Sequence, residues 1–132
     1  MTKVLVADDD PAILEVVVLI LDHHGFKVKS IIKGKDIFEQ VKSFNPDVIL
    51  LDVNLSGEDG LEICKKLKSI ESGWHHIPVI LFSAIHDLKD KHLECEADDF
   101  LSKPFDNDQL IRKIRKHAMK GGRLPDAIAR EN

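Results

Sequence analysis

The stretch Val48-Ile49-Leu50-Leu51-Asp52 is an unbroken apolar run that ends in a carboxylate. Such a run is typical of a central parallel strand that is covered on both faces. Three other apolar runs also end in polar side chains, at Asp8-Asp9, at Ser83 and at Lys103. Because the carboxyl ends of strands in an open parallel sheet border one crevice, we expect these groups to meet there.

Strand and helix signals alternate along the rest of the chain. Strands are predicted at 3–7, 26–31, 48–51, 79–82 and 98–102, and helices at 12–23, 34–43, from 61, at 87–95 and from 106 to about 119. Asp10 suits the N-cap of the first helix, Pro11 suits its first turn, and Gly25 suits the position after its end. The alternation predicts a three-layer α/β fold with a parallel sheet, right-handed crossovers and helices on both faces.

Length and composition narrow the class of protein. A chain of 132 residues favours one domain, which we place at 1–120, with a flexible tail or the start of a linker at 121–132. The net charge of -4 gives no electrostatic reason for direct nucleic-acid binding. The apolar runs are too short to cross a membrane. Cys64 and Cys95 could pair, but free thiols are expected, and with no leader peptide in view we expect a cytoplasmic protein.

Several motifs occur in a familiar order: Asp8-Asp9, Asp52, Asp59-Gly60, Ser83-Ala84 and the stretch 97–105, Ala-Asp-Asp-Phe-Leu-Ser-Lys-Pro-Phe. Together they closely resemble the receiver domain of bacterial two-component response regulators, including the single-domain, CheY-like chemotaxis type. The resemblance covers about residues 2–120. It implies a (βα)5 flavodoxin-like fold with a five-stranded parallel sheet in the order 2-1-3-4-5.

The resemblance also implies a phosphorylation site. Asp52 corresponds to the phosphoacceptor, and a carboxylate oxygen can attack phosphorus to form an acyl phosphate. Asp8, Asp9, Asp52 and the backbone carbonyl of Asn54 correspond to the ligands of Mg²⁺, a cation that prefers oxygen donors. Without a cation these neighbouring carboxylates should raise one another's pKa. Asp10 is interpreted as the helix cap alone.

Three further residues have counterparts in the family. Lys103 corresponds to the lysine that contacts the phosphoryl group, and the Lys103-Pro104 peptide is expected to be cis. Ser83 corresponds to the hydroxyl that binds a phosphoryl oxygen and starts the switch. Phe100 corresponds to the aromatic residue whose rotamer follows that hydroxyl. The expected output surface comprises helix four, strand five and helix five.

The implied reaction is a Mg²⁺-dependent phosphoryl transfer to Asp52 from a phosphohistidine on a histidine kinase or phosphotransfer protein. Kinase docking is expected at helix one and the loop after strand five. The domain would be a signalling module that undergoes only its own phosphorylation and dephosphorylation. The downstream partner stays open, as does the choice between a stand-alone regulator and a fragment that lacks an output domain.

Two alternatives and two departures from the family pattern accompany this interpretation. The alternatives are a phosphorylation-independent interaction module and a Mg²⁺-dependent phosphatase with an aspartate nucleophile, of the haloacid-dehalogenase type. The phosphatase would need a second acid at position 54, where this chain has Asn54. Ser56 replaces a common proline, which is expected to loosen the loop. Glu96 replaces a common glycine and leaves the end of helix four open.

Overall fold

The computed structural model describes residues 1–120, and these form one five-stranded parallel sheet and a separate short hairpin. The strands of the sheet are β1 Lys3–Ala7, β2 Lys27–Ile31, β3 Val48–Leu51, β4 Val79–Ser83 and β5 Asp99–Ser102. They lie in the order β2-β1-β3-β4-β5, and every neighbouring pair is parallel. The predicted order 2-1-3-4-5 is therefore confirmed.

Within the described part of the chain, four α-helices connect successive strands and a fifth follows β5. They are α1 Pro11–His23, α2 Ile37–Phe44, α3 Gly60–Lys68, α4 Leu88–Glu94 and α5 Asn107–Lys120. The helix predicted at 34–43 is in fact a 3-10 turn, Gly34–Asp36, followed by α2. A second 3-10 turn, Ile70–Ser72, lies in the connection before β4.

The first helix begins as its sequence predicts. The Asp10 carboxylate accepts a hydrogen bond from the Ala12 N–H at 2.9 Å, and Pro11 occupies the first turn. After the helix, Gly25 adopts a φ of 86°, a left-handed conformation that glycine reaches without steric cost. These two signals mark the beginning and the end of α1.

The central strands are buried on both faces, because helices cover both sides of the sheet. All four residues of β3 have no exposed surface. Ile49 and Leu51 pack into the cluster beneath α2 and α3, whereas Leu50 packs with α1 and α5 on the other side. Successive strand residues point to opposite faces, so an uninterrupted apolar run is what this position requires.

The edge strand β2 departs from its predicted pattern. Val28 is half-buried and Phe26, just before the strand, is buried, as the alternation predicted. Ser30 was expected on the same buried side but is exposed. Strand β2 is an edge strand that pairs only with β1, and the next residue, Ile31, is buried on the opposite face of the sheet.

The loop after β3, where Ser56 replaces the common proline, contains a short hairpin. Asn54–Leu55 pairs antiparallel with Glu58–Asp59, and Ser56 and Gly57 form the turn between them. Both turn residues have positive φ, 51° and 86°, as a type I′ hairpin turn requires. Proline, whose φ stays near about −65°, could not occupy the first of these positions.

Glu96 takes up the conformation that glycine would have. Its φ is 63°, and it follows Cys95, the C-cap of α4. A residue with a Cβ pays about 1–2 kcal/mol for this left-handed conformation. The helix therefore ends as it would before a glycine, and the departure costs stability without changing how the chain leaves α4.

Three remaining expectations concern the cysteines, the membrane and the tail. Cys64 and Cys95 are both free, as predicted, and both are buried, with the Cys64 thiol 3.4 Å from the Cys95 carbonyl oxygen. Among the described helices, none has the length and hydropathy needed to cross a bilayer. The tail assigned to 121–132 lies outside the described residues.

Candidate functional site

Two neighbouring strands bring the acidic residues together. Asp8 follows β1 and Asp52 follows β3, and the Asp52 N–H donates to the Ala7 carbonyl at 2.9 Å. Asp8 has no exposed surface, and Asp52 is 5% exposed. One carboxylate oxygen from each of Asp8, Asp9 and Asp52 lies within 4.8 Å of the others. The predicted meeting of these groups therefore occurs at the carboxyl edge of the sheet.

The Lys103 ammonium lies against this acidic cluster. Its Nζ is 2.5 Å from Asp8 Oδ2 and 3.2 Å from Asp52 Oδ2. The Lys103 N–H donates to the Ser83 carbonyl at 2.9 Å, which ties its backbone to the end of β4. The Lys103-Pro104 peptide is cis, as expected. One cation thus neutralises part of the charge of two buried carboxylates.

Burial is the largest influence on the ionisation of Asp52. It raises the pKa of this carboxyl, and the Lys103 ammonium opposes the rise. The negative charge of Asp8 raises the pKa further, so the predicted effect between neighbouring acids is present at Asp52 but is smaller than that of burial. An additional cation in the cluster would favour the ionised form of Asp52.

Backbone N–H groups hold each of the three carboxylates. Asp8 Oδ1 accepts from the Asp10 N–H at 2.9 Å, and Asp52 Oδ1 accepts from the Asn54 N–H at 3.3 Å. Asp9 Oδ2 accepts from the N–H of Ser56, in the hairpin turn, at 3.2 Å. Backbone N–H groups therefore orient all three carboxylates, and Lys103 also contacts those of Asp8 and Asp52.

A cleft of about 340 Å³ opens over the acidic cluster. It is lined by Asp9, Asp52, Asn54, Ser83, Ala84, Ile85 and Lys103. Asp9, Asp52 and Asn54 bring oxygen donors to this lining, and such donors fit Mg²⁺. Ala84, which lines the cleft beside Ser83, has a small side chain. The cleft could hold a hydrated divalent cation beside a phosphoryl group.

The two residues assigned to the switch lie in different places. Ser83 is 5% exposed at the end of β4, where its hydroxyl oxygen accepts from the Ile85 N–H at 3.5 Å and faces the cleft. Phe100 does not line the cleft. It is half-buried on β5, where its ring centroid is 4.7 Å from that of His92 and 5.4 Å from Lys113 Nζ.

Gly60 contributes to the site in a way that the sequence alone does not reveal. A Cβ at this position would lie 2.1 Å from the Asp52 carbonyl oxygen, and the Gly60 N–H donates to the Val53 carbonyl at 2.6 Å. Asp59 caps α3 through the Leu61 N–H at 2.9 Å. The Asp59-Gly60 motif signals a helix start, but only the tertiary structure shows that any side chain there would displace the backbone of Asp52.

Comparisons with known proteins agree with this geometry. Residues 4–115 match the family model of the response regulator receiver domain. The chain is 37% identical over 138 residues to the transcriptional regulatory protein CseB of Streptomyces coelicolor, covering 98% of this chain and 57% of that protein. It is 33% identical over 129 residues to the DNA-binding dual master transcriptional regulator RpaA of Synechocystis, covering 96% of this chain and 53% of that protein.

A solved structure shows the same likeness. The receiver domain of the Francisella response regulator 1452 is 31% identical, with a TM-score of 0.80, over 89% of this chain and 97% of that chain. This chain spans about half the length of the curated relatives it matches, 53% of RpaA and 57% of CseB. The similarity is therefore to their receiver portion.

Proposed function

This chain belongs to the response regulator receiver domain family of two-component signalling, and from that premise we propose that Asp52 is its phosphoacceptor. The observation that carries the proposal is the position of the Asp52 carboxylate. It is buried at the floor of the cleft, 3.2 Å from Lys103 Nζ, with the carboxylates of Asp8 and Asp9 beside it. No ordinary structural role requires three carboxylates and one ammonium at the end of two strands.

In the proposed reaction an oxygen of the Asp52 carboxylate forms a bond to phosphorus. The bond between phosphorus and the donor nitrogen of a phosphohistidine breaks, and its electron pair remains on the imidazole. Lys103 Nζ, now shared between Asp8 and Asp52, would pair with the transferred phosphoryl oxygens. The product is an aspartyl phosphate on this chain.

Asp8, Asp9, Asp52 and the backbone carbonyl of Asn54 are the residues that would hold Mg²⁺. Bound there, the cation would neutralise the negative charge that accumulates during transfer. Asp8 is fully buried and Asp9 partly exposed, so the cluster has a solvent-facing side at Asp9. The pairing of Asp8 with Lys103 limits the charge repulsion of the cluster before a cation binds.

The proposed readout passes through Ser83 and Phe100. Ser83 faces the cleft, so its hydroxyl could bind an oxygen of the phosphoryl group on Asp52. Movement of the loop after β4 would then change the contacts of Phe100 with α4 and α5. The surface formed by α4, β5 and α5 would be read by a downstream protein or an output domain.

The proposed phosphodonor is a histidine kinase or phosphotransfer protein that docks beside the cleft. An apolar groove of about 520 Å³ lies between α1 and the loop after β5. Its lining includes Ile13, Val16, Pro104 and Phe105, and it borders Lys103. A partner bound there would present its phosphohistidine next to Asp52. We place this exchange in the cytoplasm, which the free thiols of the two cysteines support.

Acetyl phosphate with Mg²⁺ provides the direct test. Intact-mass analysis of the wild-type chain should show the addition of one phosphoryl group, which depends on Mg²⁺. The variant Asp52→Asn should not be modified, whereas the matched variant Asp22→Asn, at an exposed acid near the C-terminal end of α1, should be modified like wild type. Equal modification of Asp52→Asn would show that Asp52 is not the acceptor.

The proposed role also predicts that the domain has no general phosphatase activity. A phosphatase with an aspartate nucleophile uses a second acid to protonate the leaving group, and Asn54 cannot act in this way. Incubation with a panel of phosphate esters should therefore give no multiple turnover. Sustained turnover of any ester, abolished in Asp52→Asn, would instead identify an enzyme.

A further inference from the structure

We infer that the hairpin Asn54–Asp59 positions two carboxylates of the cation site through its backbone N–H groups, with Ser56 as the positioning residue for Asp9. This inference rests on the proposed function, because it assigns to these residues a role toward Mg²⁺. It goes further by attributing the orientation of Asp9 to a residue that departs from the family pattern.

Asp9 is held differently from the other two acids. Asp8 and Asp52 are buried and both contact Lys103 Nζ. Asp9 is only partly buried, and the hydrogen bond to its carboxylate comes from the Ser56 N–H. This bond occupies Oδ2 and leaves Oδ1 for a cation. A ligand whose second oxygen is already fixed loses less conformational freedom when the metal binds, which is why outer contacts tune metal affinity.

The hairpin gives the Ser56 N–H its direction. Leu55 has no exposed surface and anchors the hairpin in the core, and its partner across the turn is Glu58. The positive φ values of Ser56 and Gly57 reverse the chain within two residues and turn the Ser56 amide toward Asp9. The interaction joins residues 47 positions apart in the sequence.

One hairpin thus contacts both carboxylates that line the cleft. The Asn54 N–H donates to Asp52 Oδ1 at 3.3 Å, and the Ser56 N–H donates to Asp9 Oδ2 at 3.2 Å. A proline at position 56 has no N–H to donate and cannot adopt the observed φ of 51°. The serine in this chain therefore supplies an interaction that the common family residue could not make.

The test is the dissociation constant for Mg²⁺, measured by titration calorimetry on the unphosphorylated full chain. Ser56→Pro removes the donor, and we expect it to weaken binding by about tenfold, as the loss of an outer contact to a metal ligand does. Ser56→Gly and Ser56→Ala keep the N–H. They should bind Mg²⁺ within about twofold of wild type, because the side chain takes no part in the bond.

The possible outcomes distinguish the positioning role of Ser56 from the proposed cation site. If Ser56→Pro binds as tightly as wild type, the positioning role is refuted while the cation site stands. If Ser56→Ala is as weak as Ser56→Pro, the hydroxyl and not the amide is responsible, and the inference is again refuted. If wild type itself binds no Mg²⁺, the proposed function fails at its cation site.

A second measurement leaves the hairpin sequence intact, since proline could disturb the turn itself. In proton–nitrogen NMR spectra, Asp9→Ala should move the Ser56 amide proton upfield and speed its exchange with water. Asp10→Ala, which removes the adjacent helix cap, should leave the Ser56 amide unchanged. An unaltered Ser56 amide in Asp9→Ala would contradict the hydrogen bond on which the inference depends.

Discussion

At the scale of single residues, the burial of Asp52 suits its proposed role as phosphoacceptor but lowers the stability of the fold. Asp52 is 5% exposed, and its ionised form is disfavoured by burial and by the charge of Asp8, with Lys103 in opposition. A buried carboxylate with a raised pKa destabilises the fold wherever it is ionised. This destabilising arrangement is expected of a group that binds a cation and accepts a phosphoryl group, and it is not expected of a group that only stabilises the fold.

Replacing Asp52 by asparagine should therefore stabilise the protein. Asn keeps an oxygen that can accept from Lys103 but removes the buried negative charge. In Mg²⁺-free buffer near neutral pH, we expect Asp52→Asn to increase the free energy of unfolding by on the order of 1 kcal/mol, the scale of a typical point substitution. Urea denaturation followed by circular dichroism measures this difference.

The matched control is Asp22→Asn, which changes an exposed carboxylate on α1. It should alter the free energy of unfolding by less than about 0.5 kcal/mol, as surface substitutions do. The difference in stability between Asp52→Asn and wild type should also become smaller when Mg²⁺ is added. Only wild type has the Asp52 carboxylate to bind the cation, and binding to the folded state stabilises it. A destabilised Asp52→Asn in Mg²⁺-free buffer would contradict the account of burial given above.

At the scale of elements, Asp99 joins β5 to α5. Its carboxylate accepts hydrogen bonds of 2.8 Å from the Phe100 N–H, from Lys113 Nζ and from His117 Nε2. Lys113 also lies over the Phe100 ring, so the same ammonium links the ion pair to the proposed switch residue. The network holds together β5 and α5, two of the three elements of the proposed output surface.

The ionisation of Asp99 makes this contact sensitive to acid. Burial alone would raise the pKa of Asp99, but hydrogen bonds from Lys113 and His117 outweigh it and lower the pKa below its usual value of 3.8. A lowered pKa in the folded state means that the ionised group adds stability at pH values above the unfolded pKa. That contribution is lost as the pH falls through the folded pKa.

We expect Asp99→Asn to reduce the free energy of unfolding by about 2 kcal/mol near neutral pH, the scale of hydrogen bonds to a charged group. The difference from wild type should begin to diminish as the pH falls below about 4, where Asp99 of the unfolded chain becomes protonated, and it should vanish below the lowered pKa of folded Asp99. Urea denaturation at a series of pH values between about 7 and about 3 measures it. A difference that stays constant to the acid end would exclude the ionised carboxylate as its source.

At the scale of the whole molecule, the proposed docking surface lies beside the cleft, and the proposed output surface lies apart from it. The apolar groove beside Lys103 is formed by α1 and the loop after β5. Phe100 and Asp99 lie instead with α4 and α5. A partner could therefore deliver a phosphoryl group on one side while the conformational change is read on another.

A charge introduced into the groove should slow phosphoryl transfer from a kinase but not transfer from acetyl phosphate. Val16 is 50% exposed and lines the groove, whereas Ile70 is 79% exposed in the 3-10 turn after α3. Val16→Glu should slow phosphoryl transfer from an autophosphorylated histidine kinase of the source organism by about tenfold, as loss of a buried interface contact does. Transfer from acetyl phosphate, which needs no docking, should be unchanged.

The control for this experiment is Ile70→Glu, which adds the same charge outside the groove. It should transfer at the wild-type rate from both donors. Time courses of phosphorylated protein, resolved by intact mass, provide the rates for each donor. If Val16→Glu slows the kinase and acetyl phosphate reactions equally, the substitution affects the site itself and the groove is not the docking surface.

The amino-acid sequence by itself determined the elements and the identity of the strand-end groups. Apolar runs and helix caps are local signals, so β3, Asp10 and the positions of Asp52 and Lys103 at strand ends could be predicted from short stretches. The strand order came from the resemblance to a family, since local periodicity does not say which strands become neighbours. The predictions were partly wrong at 34–43, which begins with a 3-10 turn, and at Ser30, which is exposed.

Only the tertiary structure decided how these groups are held relative to one another. Lys103 meets Asp8 across 95 positions of sequence, and Ser56 reaches Asp9 across 47. Such contacts depend on the directions in which separate strands and turns deliver their backbone, and no local pattern encodes those directions. The same holds for Gly60, whose missing side chain matters because the carbonyl of Asp52 passes beside it. The residue types thus determine the chemistry of the site, and the packing of distant segments determines its geometry.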